Sequence, residues 1–159
     1  PNFSNNIQYE VELIIKICKL GKNIKEKFAS TYYNEIGLGI DFTARDVQEQ
    51  CKKKGHPWEI AKAFDQSAVV STKFINVADL NVNNINFSLK KNGKHVQKGN
   101  SSDMLFNFDQ IITHISKYMT LKTGDLIFTG TPAGVGKVSI GDELIGCLED
   151  KEAFKTKIK

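Results

Sequence analysis

The chain has 159 residues, 40% hydrophobic and 25% charged, which suits one globular domain with a real core. Its net charge of +4, from 22 basic and 18 acidic residues, is too mild and dispersed to argue for nucleic acid, even with Lys151, Lys155, Lys157 and Lys159 at one end. No apolar run nears the eighteen residues of a membrane span, so no membrane partner is expected.

From Tyr9 the residues alternate. Tyr9, Val11, Leu13, Ile15 and Ile17 predict the buried face of a strand, with Glu10, Glu12, Ile14 and Lys16 on the other. Glu10 and Glu12 then project from one face, about 7 Å apart at roughly 3.3 Å of rise per residue. Two such acids repel and call for something positive between them; a solvated face carrying two acids is the plainer alternative. After Gly21, Ile24, Phe28 and Tyr32 at helical spacing predict a packing helix with its aromatics in the core, ending before Gly37.

Leu38-Gly39-Ile40-Asp41-Phe42 alternates again, with Asp41 on the face opposite Leu38, Ile40 and Phe42. Thr43-Ala44-Arg45-Asp46 has the form of an N-cap with an acid three residues on. The helix it opens runs through Val47 and Cys51 to Lys52, Lys53 and Lys54 and stops at Gly55 and Pro57. Arg45 and Gln48 share one side of its first turn, near Asp41. Pro57 to Phe64 is ambiguous: Trp58 and Phe64 read as core or lid-packing residues, and Lys62 among Ala61, Ala63 and Phe64 reads by itself as a surface stem.

Ile85 to Leu89 predicts a strand, Asn92-Gly93 a tight hairpin turn and Val96 the return strand, a structural hairpin with solvated lysines. Asn100 to Asp103 reads as a polar turn. Ile111, Ile112, Ile115 and Met119 mark a helix with Asp109 near its start and Lys117 near its end.

Gly124 to Asp142 holds five of the twelve glycines. Its short β run Leu126-Ile127-Phe128 empties into Thr129-Gly130-Thr131-Pro132. A strand ending in hydroxyls and unshielded backbone can bring N–H donors close to a ligand; a wide hairpin is the plain alternative. A Walker phosphate loop fits poorly, since it needs Gly where Thr131 stands and Ser or Thr where Val138 stands. A last strand runs from Glu143 to Leu148. The sum is an α+β domain over residues 1–159, many short strands with about three helices and no linker or repeat.

Cys18, Cys51 and Cys147 form no Cys-x-x-Cys pair and read as small buried hydrophobes in a reducing compartment. His56, His95 and His114 are scattered, so no zinc site is visible. No signal-peptide pattern occurs, and a chain that starts at Pro1 leaves an intracellular location open between cytoplasm and mitochondrion.

Four segments, Tyr9 to Leu13, Asp41 to Gln48, Ala61 to Asp65 and Gly124 to Gly136, resemble the fumarylacetoacetate hydrolase family in order and spacing over nearly the whole chain. Cys51-Lys52-Lys53-Lys54-Gly55 and Pro57-Trp58 narrow the resemblance to the small acylpyruvases and oxaloacetate decarboxylases. The resemblance implies a β-rich mixed roll assembled as a homodimer. It implies Glu10, Glu12 and Asp41 as ligands of Mg²⁺ or Mn²⁺, Arg45, Gln48, Lys62, Gly130 and Thr131 as substrate contacts, and Lys62 and Arg45 as the catalytic pair.

Residue chemistry agrees with that ligand set. Three carboxylates without His or Cys make a hard all-oxygen site suited to Mg²⁺ or Mn²⁺ rather than zinc. They over-neutralise the ion, so a 2-oxo acid substrate needs nearby cations, which Arg45 and Lys62 supply. The implied reaction is metal-dependent C–C cleavage of 2-oxo or 2,4-dioxo acids, by acylpyruvate hydrolysis or oxaloacetate decarboxylation. The family pattern includes an upstream segment with a His/Glu pair proposed to activate water, and none of it precedes Glu10 here. The expectation is that decarboxylation survives that difference better than hydrolysis; the alternative is a catalytically impaired metal- and oxo-acid-binding fragment or subunit.

Overall fold

A computed structural model describes residues 1–159. In chain order the elements are β1 (Ile7–Tyr9), β2 (Val11–Ile17), α1 (Glu26–Ala29), β3 (Tyr33–Asp41), β4 (Thr43–Ala44), α2 (Arg45–Lys54), α3 (Glu59–Lys62), β5 (Ala68–Val70), β6 (Ile75–Asn76), β7 (Asn86–Lys91), β8 (Lys94–Asn100), α4 (Phe108–Tyr118), β9 (Leu126–Phe128), β10 (Gly136–Lys137), β11 (Glu143–Leu148) and β12 (Lys151–Lys157). The strands form three sheets, ordered β10-β1-β4, β12-β11-β7-β8 and β5-β3-β2-β9, with β6 also pairing β3. The fold is α+β, as the sequence predicts, and no helix is long and apolar enough to cross a membrane.

The core is one apolar cluster. It joins Val11, Leu13, Ile15 and Ile17 of β2 and Ile36, Leu38 and Ile40 of β3 to Leu89, Leu144 and Phe154 of the four-stranded sheet and Ile112 of α4. The predicted apolar face of β2 is therefore the core face. Its other face is covered too: Ile14 is fully buried, and Glu10 and Glu12 are only 7% and 5% exposed. The solvated-face alternative for the two acids fails, because Arg45, Lys62 and the Gly130 backbone close over them.

α2 follows its sequence signals, with Asp46 in the first turn, three lysines in the last and Gly55 at φ +65° closing it. α4 is opened by reciprocal Asn107 and Gln110 hydrogen bonds. The Asn92-Gly93 turn joins β7 to β8 as predicted.

Other expectations fail for local reasons. The helix over Ile24 to Tyr32 shrinks to four residues plus a 3₁₀ turn, since Thr31-Tyr32-Tyr33 is β-prone and feeds β3. Phe28 is consequently 52% exposed rather than core. Met119, just past α4, is also exposed. Trp58 is 49% exposed, with the Lys52 ammonium 4.7 Å from its ring centroid. Thr43 does not cap α2; it lies in β4, and its hydroxyl turns into the site. The lysine-rich end is a strand, β12, paired along β11. Gly124 to Asp142 is no wide hairpin, because β9 pairs with β2 and β10 pairs with β1 in a different sheet. Lys91 is no solvated lysine: it pairs with Asp142 at 2.8 Å. Only Cys51 of the three free cysteines is buried.

Candidate metal centre

Glu10 is the single residue between β1 and β2, where the chain crosses from the three-stranded to the five-stranded sheet. The Asp41 N–H donates to the Glu10 carbonyl at 2.9 Å, so the end of β3 is pinned beside this crossover. Glu10, Glu12 and Asp41 thereby converge, with one oxygen from each lying within 4.8 Å of the others.

Two cations come from the helices. The Arg45 guanidinium, at the start of α2, pairs with Glu10 Oε1 and donates to Gln48 Oε1 at 2.7 Å and to Gln8 Oε1 at 2.9 Å. Lys62 ends α3, and its ammonium donates to Glu10 Oε2 at 2.7 Å, Asp41 Oδ2 at 2.6 Å and Thr43 Oγ1 at 2.7 Å. All three ammonium protons are used, so Lys62 is a placed cation and not a surface stem. From the glycine-rich loop the Gly130 N–H donates to Glu12 Oε2 at 2.7 Å. Thr131 sits behind it, its hydroxyl committed to the Val11 carbonyl at 2.8 Å.

The three acids are not electrostatically equal. Burial would raise Glu10, but hydrogen bonds from Lys62 and Arg45 outweigh it and hold its pKa below the ordinary range. Burial also raises Asp41, and there Lys62 does not fully compensate. The Lys62 ammonium would be disfavoured by burial, yet Asp41 and Glu10 raise its pKa. Glu12 is pushed up to about 7, chiefly by burial and further by the charges of Asp41 and Glu10, against the Gly130 N–H.

This donor set fits a hard divalent cation. The ligands are all carboxylate oxygens, and Glu12 makes no ion pair although it is buried beside two other acids. One flank of the loop, at Phe128, Thr129, Gly130, Thr131 and Pro132, borders a cavity of about 410 Å³ that also takes in Met104. Of the sequence-predicted site residues, Glu10, Asp41, Arg45, Gln48 and Lys62 form one hydrogen-bonded network, the Glu12–Gly130 pair stands beside it through the convergence of the three carboxylates, and Thr131 braces the loop. Gln8, Thr43 and Gln97, whose amide bonds the Val11 N–H and the Thr131 hydroxyl, are the participants that sequence reasoning missed. Thr43 hid behind a cap pattern; Gln8 and Gln97 are isolated amides in strands with no motif to mark them.

The family model for the fumarylacetoacetate hydrolase C-terminal domain matches residues 1–159. This chain belongs to the fumarylacetoacetate hydrolase family. A Mus musculus protein named oxaloacetate tautomerase FAHD1, mitochondrial, is 40% identical over 159 residues, which are all of this chain and 72% of that protein. The Escherichia coli oxaloacetate tautomerase YcgM is 40% identical over 146 residues, 91% of this chain and 66% of its own. Among solved structures, the fumarylpyruvate hydrolase of Pseudomonas aeruginosa in complex with Mn²⁺ and pyruvate superimposes with a TM-score of 0.93 at 30% identity, over 99% of this chain and 68% of that one. The family kinship stands on these matches together with the fold, and it makes this chain part of a family of enzymes.

Proposed function

We propose that this chain holds Mg²⁺ or Mn²⁺ on Glu10, Glu12 and Asp41 and processes 2-oxo acids there. The observation that carries the reading is the convergence of three carboxylate oxygens within 4.8 Å, two of them on residues at most 7% exposed, beside two cationic side chains. When bound, the metal supplies Lewis acidity toward the 2-oxo oxygen and carboxylate of the substrate.

The chain's own residues supply charge balance and orientation. Arg45, with Gln48 aligned by its guanidinium, offers a planar donor face for the substrate carboxylate. Lys62 keeps a positive charge between Glu10 and Asp41, beside the place where the 2-oxo oxygen becomes negative. That charge is common to three reactions. In tautomerisation a proton leaves the 2-hydroxyl oxygen of the enol as C3 gains one, or the reverse; in oxaloacetate decarboxylation C3 loses CO₂ and then takes a proton. In acylpyruvate hydrolysis water adds hydroxide to the acyl carbon, and C3 leaves it and takes the proton. The relatives named oxaloacetate tautomerase support the first, the fumarylpyruvate hydrolase the third. The cavity beside Gly130 lies where a substrate tail extending past the loop can lodge. The homodimer belongs to the same proposal and is read by analytical ultracentrifugation.

The test is turnover of oxaloacetate, followed separately as enol loss and as CO₂ release, and of acetylpyruvate cleavage, with Mg²⁺, with Mn²⁺ and after chelation. Metal-dependent turnover of any of these supports an enzyme. Metal and oxalate binding without turnover of the three substrates would favour a binding subunit, and absence of metal binding by folded protein would overturn the reading.

A further inference from the structure

Gln97 has no part in the chemistry above, yet its amide joins the two halves of the site. Strand β9 pairs with β2 only at Ile14, Ile15 and Lys16. Thr129 still reaches the Leu13 carbonyl through its N–H at 3.2 Å and its hydroxyl at 2.9 Å; beyond it, side chains take over the hydrogen bonding of Val11, the residue between Glu10 and Glu12. Gln97 Oε1 accepts the Val11 N–H at 3.0 Å, and the Thr131 hydroxyl donates to the Val11 carbonyl at 2.8 Å. The Gln97 amide nitrogen donates to that hydroxyl oxygen and to the Pro132 carbonyl, each at 2.9 Å. One amide therefore uses its acceptor on the ligand-bearing strand and both donors on the loop whose Gly130 N–H reaches Glu12.

The backbone aims it. Leu89 faces Gln97 while Lys90 faces His95, which leaves Val96 as an extra residue on β8, and such a bulge redirects the side chains beside it. Gly134, at φ +103°, closes over the bulge: a Cβ there would collide with the Val96 carbonyl oxygen and lie 3.3 Å from Gln97 Cγ. Gln97 is 2% exposed, so water does not compete for its bonds.

We propose that Gln97 is a positioning residue that sets Glu10 and Glu12 against the Gly130 donor, and so tunes the affinity of the site for its cation and for an anionic ligand on it. This rests on Glu10, Glu12 and Asp41 being the metal site. The test is calorimetric titration of Mn²⁺, with and without oxalate, together with the electron paramagnetic resonance spectrum of bound Mn²⁺. It is run on wild type, Gln97→Leu, Gln97→Glu and, as a stability control, Ile112→Ala in the core of α4. Gln97→Glu retains an acceptor for Val11 and removes both donor bonds, so it probes the loop arm should the leucine variant not fold. The expected result is Mn²⁺ binding about tenfold weaker or more in the Gln97 variants, a weakened oxalate enhancement and a changed spectrum, with Ile112→Ala less stable but otherwise like wild type. Wild-type affinities and spectrum in a folded Gln97 variant would overturn the inference, as would an equal affinity loss in Ile112→Ala. A wild type that binds no Mn²⁺ would overturn the metal site itself.

Discussion

Asp142 and Glu12 are both acids that organise a loop, and the fold drives them in opposite directions. At Asp142 the Lys91 ammonium at 2.8 Å, the Asn92 amide at 2.8 Å and the Ser139 N–H at 2.7 Å all point at the carboxylate. Those donors, Lys91 foremost, pull it down to about 2. At Glu12 burial dominates, two further acids face it, and the Gly130 N–H is its one hydrogen-bond donor. A carboxylate saturated with donors is a finished clasp between the β7–β8 turn and the strand that follows. One buried among its own kind is, on the function proposed above, the place for a divalent cation.

The sharpest way to break that comparison is to remove each acid. Glu12→Ala is expected to weaken Mn²⁺ binding by at least about 100-fold, at or beyond the upper end of losses seen when outer partners of a metal site are removed. Asp142→Asn is expected to leave it unchanged, and both are read by calorimetry. Equal effects would mean that the two clusters do not differ as described.

Next in size is the cation that stands among the acids. In Lys62→Met, Glu10 and Asp41 lose a shared partner, and metal-free protein should be less stable by about 1–2 kcal/mol, a partly exposed version of a broken buried ion pair. Added Mn²⁺ should then raise the melting temperature by more than in wild type, while oxaloacetate turnover falls. A smaller metal-induced rise would argue against Lys62 and the cation compensating the same charges.

The pH dependence separates the clusters further. Glu12 titrates near 7 when folded and near its ordinary 4.5 when unfolded, so the metal-free fold binds a proton that the unfolded chain has lost. Metal-free stability should therefore fall as pH rises from about 4.5 to about 7, and apparent Mn²⁺ affinity should rise over pH 6 to 7, by at most about tenfold per unit, then level off. Flat affinity from pH 6 to 8 would remove Glu12 from the titrating ligands. The smallest effect belongs to Asp142. Its depressed pKa contributes stability above its ordinary 3.8 that is lost as pH falls toward about 2. Asp142→Asn should therefore cost below about 1 kcal/mol at neutral pH, and the difference from wild type should vanish in acid melts.

Period-two alternation marked β2 and the end of β3 correctly, because alternation records which face of a strand meets the apolar core, a property of neighbouring residues. The same local logic found α2 and α4 through their caps and charge order. It failed where three apolar residues at helical spacing met a β-prone run, and at Lys62, whose neighbours in the chain are bland.

By itself the sequence determined the α+β character, most strand and helix positions, the all-oxygen character of the acids, and, through its motifs, the family. The tertiary structure alone decided what surrounds those acids. Lys62 meets Glu10 across 52 residues, the Val11 N–H meets Gln97 across 86, and Gly130 meets Glu12 across 118. Burial makes these contacts decisive, since a charge removed from water takes its pKa from whichever donors and charges the fold brings beside it. Periodicity reaches only a few residues along the chain and carries no record of partners so distant.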